Sequence, residues 1–391
     1  MKIALVLDDS IDRPDGVQQY VLTLAAFLRR GGHEVHVLCS SAGAREDVTV
    51  HSLARNVGVR FNGNDLRIPL PTSRYAIRKL LAREAYDVIH VQTPYSPLFA
   101  ARVVEEARAL LKDRVRIVGT FHILPDSHVA ALGTHALGGV LRRSLAMFDA
   151  WCAVSEPARV FAREAFGIEA RVIPCPVDVA GFAKAGADAA AARVGASPGA
   201  GAGAGAGGVG AADRRLVVAF LGRLVERKGV LELIAALDAM RTDLLERVEV
   251  RIGGKGPLSE RIEAAIDDAG LDNVALVGFV DEADKAAFYA SADVAVFPAT
   301  GGESFGIVLV EAMASGAGVV LAGANPGYLS VIGSRPEASV DARDTAAFAR
   351  ALEALVADPD LRESLHAEQA EHVRQFDIER VGAQVLELYG A

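Results

Sequence analysis

Short apolar runs bounded by turn residues alternate along the chain with stretches whose apolar positions recur every three to four residues. In the first half, KIALVLD (2–8), EVHVLCS (34–40), DVIHVQ (87–92), VRIVGTFH (115–122), AWCAVS (150–155) and ARVIPCP (170–176) read as strands. Amphipathic stretches fall between most of them. The clearest is VQQYVLTLAAFLRRGG (17–32), which puts Val17, Val21, Leu24, Ala25 and Leu28 on one face and stops at Gly31-Gly32. Alternation of this kind predicts parallel sheets assembled from βαβ units.

The pattern breaks at residues 183–212, which are almost only Ala and Gly and read as a flexible insertion. It restarts with LVVAFLGR (216–223), VEVRIGG (248–254), VALVGFV (274–280), ADVAVFPA (292–299) and GAGVVLAG (316–323). The expected organisation is therefore an N-terminal Rossmann-like domain over 1–180, a linker over 181–213, and a second Rossmann-like domain over 214–375. A last amphipathic segment occupies 376–391. Ligands of such an α/β protein are expected at the carboxyl ends of the strands, in a cleft where the two sheets face each other.

Composition agrees with two globular units: the chain has 391 residues, 51% hydrophobic and 23% charged. A formal net charge of −9 argues against a nucleic-acid partner, which would favour a basic footprint. Cys39, Cys152 and Cys175 show no CxxC or pairing pattern and read as reduced core residues of a cytoplasmic protein. The N-terminus reaches acidic residues after five apolar ones, too soon for a signal peptide or a membrane span.

Candidate chemistry concentrates in three loops of the second half. In FLGRLVERKG (220–229), Gly222 lets the chain turn, and Arg223 and Lys228 offer a guanidinium fork and a mobile ammonium suited to a diphosphate. A solvated charged turn is the other reading of that segment. GGKGPL (253–258), with Gly254, permits close backbone approach but is a weak signal alone. The third loop, GGESFGIVLVEAMASG (301–316), sets Glu303 before a helix and Glu311 within it, eight positions on. Ser304 is the expected N-cap, with the N–H groups of Phe305, Gly306 and Ile307 at the positive helix end. Eight helical residues span ~12 Å, close to the separation of the sugar and the ribose in a folded nucleotide sugar. Alternatively, Glu303 is a dipole partner and Glu311 a surface acid. Against that, Glu311 lies inside IVLVEAMA, where an unpaired charge is costly.

Together, GRLVERKG and GESFGIVLVEAMASG resemble the family-4 retaining glycosyltransferases of the GT-B fold, with their Glu-x7-Glu motif and Arg/Lys pair. The likeness extends through PDGVQQYVLTLAAFLRRGGHEV, TFH (120–122), Ser155 and the final FDIERVGAQVLELYG, a segment that in this family crosses back onto the N-terminal domain. DGVQ, RFNG (60–63) and GGESFGIVLVEAMA are most similar to the bacterial phosphatidylinositol mannosyltransferases. The resemblance implies that Arg223 and Lys228 bind the donor diphosphate, Glu303 the transferred sugar and Glu311 the ribose. It also implies that the backbone around Ser304–Ile307 holds sugar and phosphate, that Val280 and Lys285 flank the base, and that Gly16 approaches the diphosphate. His122 would lie beside the anomeric carbon; a core histidine is the alternative from the residues alone. Gln18, Asn62 and Arg67 would contact an inositol phosphate headgroup.

No carboxylate in these motifs is an evident covalent nucleophile, so same-face substitution without a metal or other cofactor is expected, the donor being GDP-mannose or a UDP-sugar. The segment SRYAIRKLLARE (73–84) suits a helix lying on an anionic membrane, at the inner face of the cell membrane, and equally an ordinary solvated helix. Asp8-Asp9 and Asp15-Gly16 replace the family's usual Pro-Tyr pair and double glycine, PCPVD (174–178) replaces its Pro-Asn-Gly turn, and HILPDSH follows the TFH. Two acids near an inositol phosphate would repel it, which leaves a soluble or polysaccharide acceptor open, as it does a nucleotide-sugar epimerase and a binding protein without catalysis.

Overall fold

The computed structural model describes residues 1–12, 15–43, 45–61, 64–123, 141–195 and 214–390, with the backbone alone over 57–68 and 193–195. It divides into two compact units, Met1–Val177 with Phe376–Ala391, and Asp178–Gln375.

The first unit holds strands β1 (Lys2–Val6), β2 (Glu34–Cys39), β3 (Thr49–Ser52), β4 (Asn56–Phe61), β5 (Asn64–Pro69), β6 (Val88–Val91), β7 (Arg116–Phe121), β8 (Ala150–Ala153) and β9 (Arg171–Val172). Seven of them form a parallel sheet in the order β3-β2-β1-β6-β7-β8-β9, while β4 and β5 pair as an antiparallel hairpin. Ile3–Val6 and Val88–Val91 are continuous buried runs with one internal His90, as expected of strands covered on both faces. The order reverses between β1 and β6, so the loops leaving these strands diverge around one crevice.

Sequence patterning placed the first helix well; it spans Gly16–Arg30. Its buried face is Gln18, Tyr20, Val21, Leu24, Ala25 and Leu28, with Val17 only half-buried. The final helix, Ile378–Tyr389, belongs to this first unit. There Gly382 sits so close to Phe27 that a Cβ would lie 2.4 Å from its ring, and the Tyr389 hydroxyl reaches His90 Nδ1 at 2.7 Å. His90 Nε2 in turn lies 2.6 Å from Thr120 Oγ1, a buried chain joining the helix to β6 and β7.

The second unit holds β10 (Leu216–Leu221), β11 (Val248–Gly253), β12 (Val274–Gly278), β13 (Val294–Phe297), β14 (Val319–Gly323) and β15 (Ser339–Val340), all parallel, in the order β12-β11-β10-β13-β14-β15. Its reversal lies between β10 and β13.

The linker expectation over 181–213 is overturned in its first half: Val179–Gly195 is a helix. Alanine has the strongest intrinsic helix preference, and this segment also packs, since a Cβ on Gly186 would meet the Ser315 carbonyl at 2.1 Å. The remainder, 196–213, lies outside the described residues. All three cysteines are free and buried, and burial raises each thiol's pKa, to about 12 for Cys39 and Cys152.

Candidate active site

In the second unit the two loops flanking the reversal, after β10 and after β13, are tied together by the main chain. Thr300 N donates to Arg227 O at 2.9 Å. Between them, Glu303 Oε1 accepts from Lys228 Nζ at 2.8 Å and pairs with the Arg227 guanidinium. The cation facing Glu303 beside Lys228 is Arg227, brought there by the 3₁₀ turn Glu226–Lys228; the diphosphate role expected of Arg223 is a separate one. Arg223 is exposed, and its charge still reaches Lys228.

Burial alone would raise the Glu303 pKa, but Lys228 and Arg227 outweigh it and hold the carboxyl below its usual range. Lys228 is pushed down by burial first, then by repulsion from Arg227 and Arg223, against the pull of Glu303. One carboxylate among three cations leaves this pocket short of negative charge.

The helix expected after Ser304 starts later, at Ile307, and spans Ile307–Ala314. Its N-cap is Gly306, at φ 115°, in place of Ser304. Only glycine fits there, because a Cβ would also meet the Tyr328 ring at 2.6 Å. Phe305 is buried beneath this turn. Gly254 shows the second close approach: its φ is 137°, and a Cβ would lie 1.8 Å from the carbonyl of Gly222. The unusual backbone therefore belongs to Gly254, while Gly222 supplies the carbonyl it nestles against.

Glu311 is 2% exposed, and its Oε2 has no hydrogen-bond partner among the described residues. Oε1 lies 3.5 Å from Lys285 Nζ, which itself reaches Glu282 at 2.8 Å. Burial raises the Glu311 pKa to about 7, with Lys285 and the nearby Tyr289 hydroxyl opposing and Glu282 adding to the rise. Glu311 and Lys285, expected at ribose and base, are thus neighbours, and Val280 lies beyond β12 against Gly253.

In the first unit, His122 follows β7 and Gln92 follows β6, and His122 Nε2 lies 2.9 Å from Gln92 Oε1. Because the amide oxygen only accepts, Nε2 carries the proton and Nδ1 keeps its lone pair. The Tyr20 ring packs edge-on to the imidazole at 4.8 Å. Burial depresses the His122 pKa to about 3, so the ring is neutral at physiological pH. Gln92 Nε2 is buried without a partner among the described residues, while the neighbouring Thr93 hydroxyl interacts with Asp8. Nothing in the sequence links Gln92 or Tyr20 to His122, and only the fold brings them together. The activity of this protein is therefore expected to show no titration limb near pH 6.5 from His122; a limb there that vanishes in His122→Asn would contradict the assignment.

Gly16 opens the first helix. Gln18 is buried, and its Nε2 donates to Ser10 O at 3.0 Å, so it braces the loop after β1. Asp9 Oδ1 accepts from Ser10 N at 2.7 Å and Asn56 Nδ2 at 2.8 Å, while burial raises the Asp8 pKa to about 6. Asn62 lies outside the described residues, and Arg67 is described only as a β5 backbone position. The helix Arg74–Glu84 forms, and three of its exposed cations carry acidic partners. Arg74 pairs with Glu105 and Glu106, Arg78 with Glu106, and Arg83 with Glu84. Tyr75 is 77% exposed. No described helix is long and apolar enough to cross a membrane.

The "Glycosyltransferase Family 4" model matches residues 14–180, and the "Glycosyl transferases group 1" model matches 208–372. The chain is 34% identical over its whole length, and over 93% of the relative, to a phosphatidyl-myo-inositol mannosyltransferase of Mycolicibacterium smegmatis. It is 28% identical, over 92% of this chain and 90% of the relative, to a GDP-mannose-dependent alpha-(1-6)-phosphatidylinositol monomannoside mannosyltransferase of Mycobacterium tuberculosis. Among solved structures, Anabaena HepE in complex with UDP and glucose aligns over all of both chains with a TM-score of 0.74 at 20% identity.

Proposed function

Because this chain belongs to the family-4 glycosyltransferases, in the family of the phosphatidyl-myo-inositol mannosyltransferases, we propose that it moves mannose from GDP-mannose to a phosphatidylinositol-type acceptor. The transfer proceeds with retention and without a metal ion, at the inner face of the cell membrane. The observation that carries this reading is the charge imbalance around Glu303. Arg223, Arg227 and Lys228 against one carboxylate leave two positive charges, matching the two negative charges of a bridging diphosphate. No metal is then needed to neutralise the leaving group, and the start of the helix Ile307–Ala314 adds its positive end.

Glu303 takes the hydroxyls of the transferred mannose, and the buried Glu311 carboxylate takes a ribose hydroxyl. In the first unit, His122 Nδ1 and Gln92 Nε2 offer an acceptor and a donor on neighbouring side chains, a match for a single sugar hydroxyl. As the bond from the anomeric carbon to the diphosphate oxygen breaks, the acceptor oxygen bonds on the same face. Its proton passes to the departing phosphate oxygen. Tyr75 and Lys79 are the residues of the helix Arg74–Glu84 assigned to the lipid surface. Asp8 and Asp9 favour a second reading, in which the acceptor lacks a phosphate.

Incubation with radiolabelled GDP-mannose, UDP-glucose and UDP-N-acetylglucosamine, with and without phosphatidylinositol vesicles, tests the proposal. Organic-soluble label is expected only from GDP-mannose with vesicles. Label confined to a water-soluble glycoside would overturn the lipid acceptor and favour the second reading.

A further inference from the structure

A second cluster of ligating side chains lies on the β2–β3 edge of the first unit, separated from His122 on β7 by strands β1 and β6. His36 of β2, His51 of β3 and Glu84, the last residue of the helix Arg74–Glu84, each offer one ligand atom, and the three atoms lie within 4.8 Å of one another. His51 Nε2 is 3.1 Å from His36 Nδ1, and Glu84 Oε2 is 3.9 Å from the same nitrogen. Ligand atoms around a tetrahedral ion with bonds of about 2.1 Å sit roughly 3.4 Å apart, between the two spacings found here.

Two further contacts fit a metal better than a plain ion-pair cluster. The other nitrogen of His36, Nε2, lies 3.2 Å from Glu34 Oε1. A carboxylate on the far nitrogen is the partner that orients a metal-binding imidazole and strengthens it as a ligand. Glu84 is held at 2.6 Å by Lys2 Nζ on one oxygen and by Arg83 Nε on the other; Lys2 also keeps Glu34 at 2.8 Å, so its ammonium is not stranded if Glu84 turns to an ion. The Tyr86 hydroxyl lies 2.8 Å from His36 Nδ1, so an ion bound to that nitrogen has to displace this hydrogen bond.

We propose that His36, His51 and Glu84 form a divalent transition-metal site of the zinc class, with a fourth position left to water, that pins β3 and the end of the helix Arg74–Glu84 to β2. Two imidazoles and a carboxylate are a zinc-class donor set, unsuited to Mg²⁺ or Ca²⁺. The site is separate from the transfer chemistry.

Tag-free full-length protein, stripped with chelator, should be titrated with Zn²⁺ by calorimetry and with Co²⁺ by visible absorption. One ion per chain with a tetrahedral Co²⁺ spectrum is expected, together with a metal-dependent rise in Tm. Glu34→Gln should weaken Zn²⁺ binding about 10–100-fold, the usual cost of losing such an outer partner. His51→Ala should abolish the Co²⁺ spectrum, and His51→Gln provides a variant of similar bulk if the alanine form does not fold. Binding that is absent in the parent, or unchanged in a folded His51 variant, would overturn the site.

Discussion

Glu303→Gln is expected to lower mannosyl transfer by about 10²–10³-fold while leaving the fold intact, the range seen when a buried polar contact to the reacting group is lost. Binding of GDP alone should stay the same or tighten. The reason is electrostatic: the substitution removes the one carboxylate opposing Arg227 and Lys228, so the pocket becomes more positive toward a diphosphate. Loss of turnover with GDP binding kept is the signature of a residue that holds the sugar. Near-normal turnover would remove the assignment, and parallel loss of GDP binding would make Glu303 a brace for the two cations. Arg227→Ala should behave oppositely, weakening GDP binding along with turnover.

The second large effect concerns Glu311 and has the opposite sign for stability. Its pKa is raised from 4.5 to about 7 in the folded protein. A raised carboxyl pKa supports the folded state fully below pH 4.5, and that support is lost as pH rises through 7. At pH 8 the buried charge costs the free protein about 3 kcal/mol, from the size of the shift. Glu311→Gln, which cannot ionise, should therefore raise Tm at pH 8 and change it little at pH 4.5, while raising the KM for donor. Lys285 keeps Glu282 at 2.8 Å in the variant, so its ammonium is not stranded. Thermal scans across this pH range, with donor titrations, provide the check. A variant less stable than the parent at pH 8 would make Glu311 a structural partner of Lys285. The expected result marks it as a group held at a cost because a ligand needs it.

The residues proposed to hold the donor can be picked out of the chain because their spacing is short-range. Glu303 and Glu311 are separated by one loop and about one helical turn, and Lys228 lies six residues beyond Gly222 in a single loop. What stayed hidden depended on conformation. Arg223 and Arg227 look equivalent in GRLVERKG, and only the turn Glu226–Lys228 decides which one meets Glu303. Ser304 obeys the usual capping preference, yet the packing of Tyr328 against Gly306 moves the helix start two residues on. Residues 181–195 lack amphipathic period and resembled a linker, although alanine-rich chain folds readily once a neighbour such as Ser315 accepts it. Gln92 and Tyr20 are distant from His122 in sequence and nothing there links them to it, so their partnership follows only from the fold.

The placement of the helix Ile378–Tyr389 in the first unit sets a timetable for synthesis. Val177 leaves the ribosome long before Phe376, and at about 5–20 residues per second the gap is about 10–40 s. Throughout that interval the nascent first unit holds its parallel sheet without the helix that covers Phe27 and without the hydroxyl that satisfies His90. The second unit, continuous from Asp178 to Gln375, has no such wait. The half of the chain made first is therefore the half completed last, and its exposed apolar face is what a nascent-chain chaperone would meet.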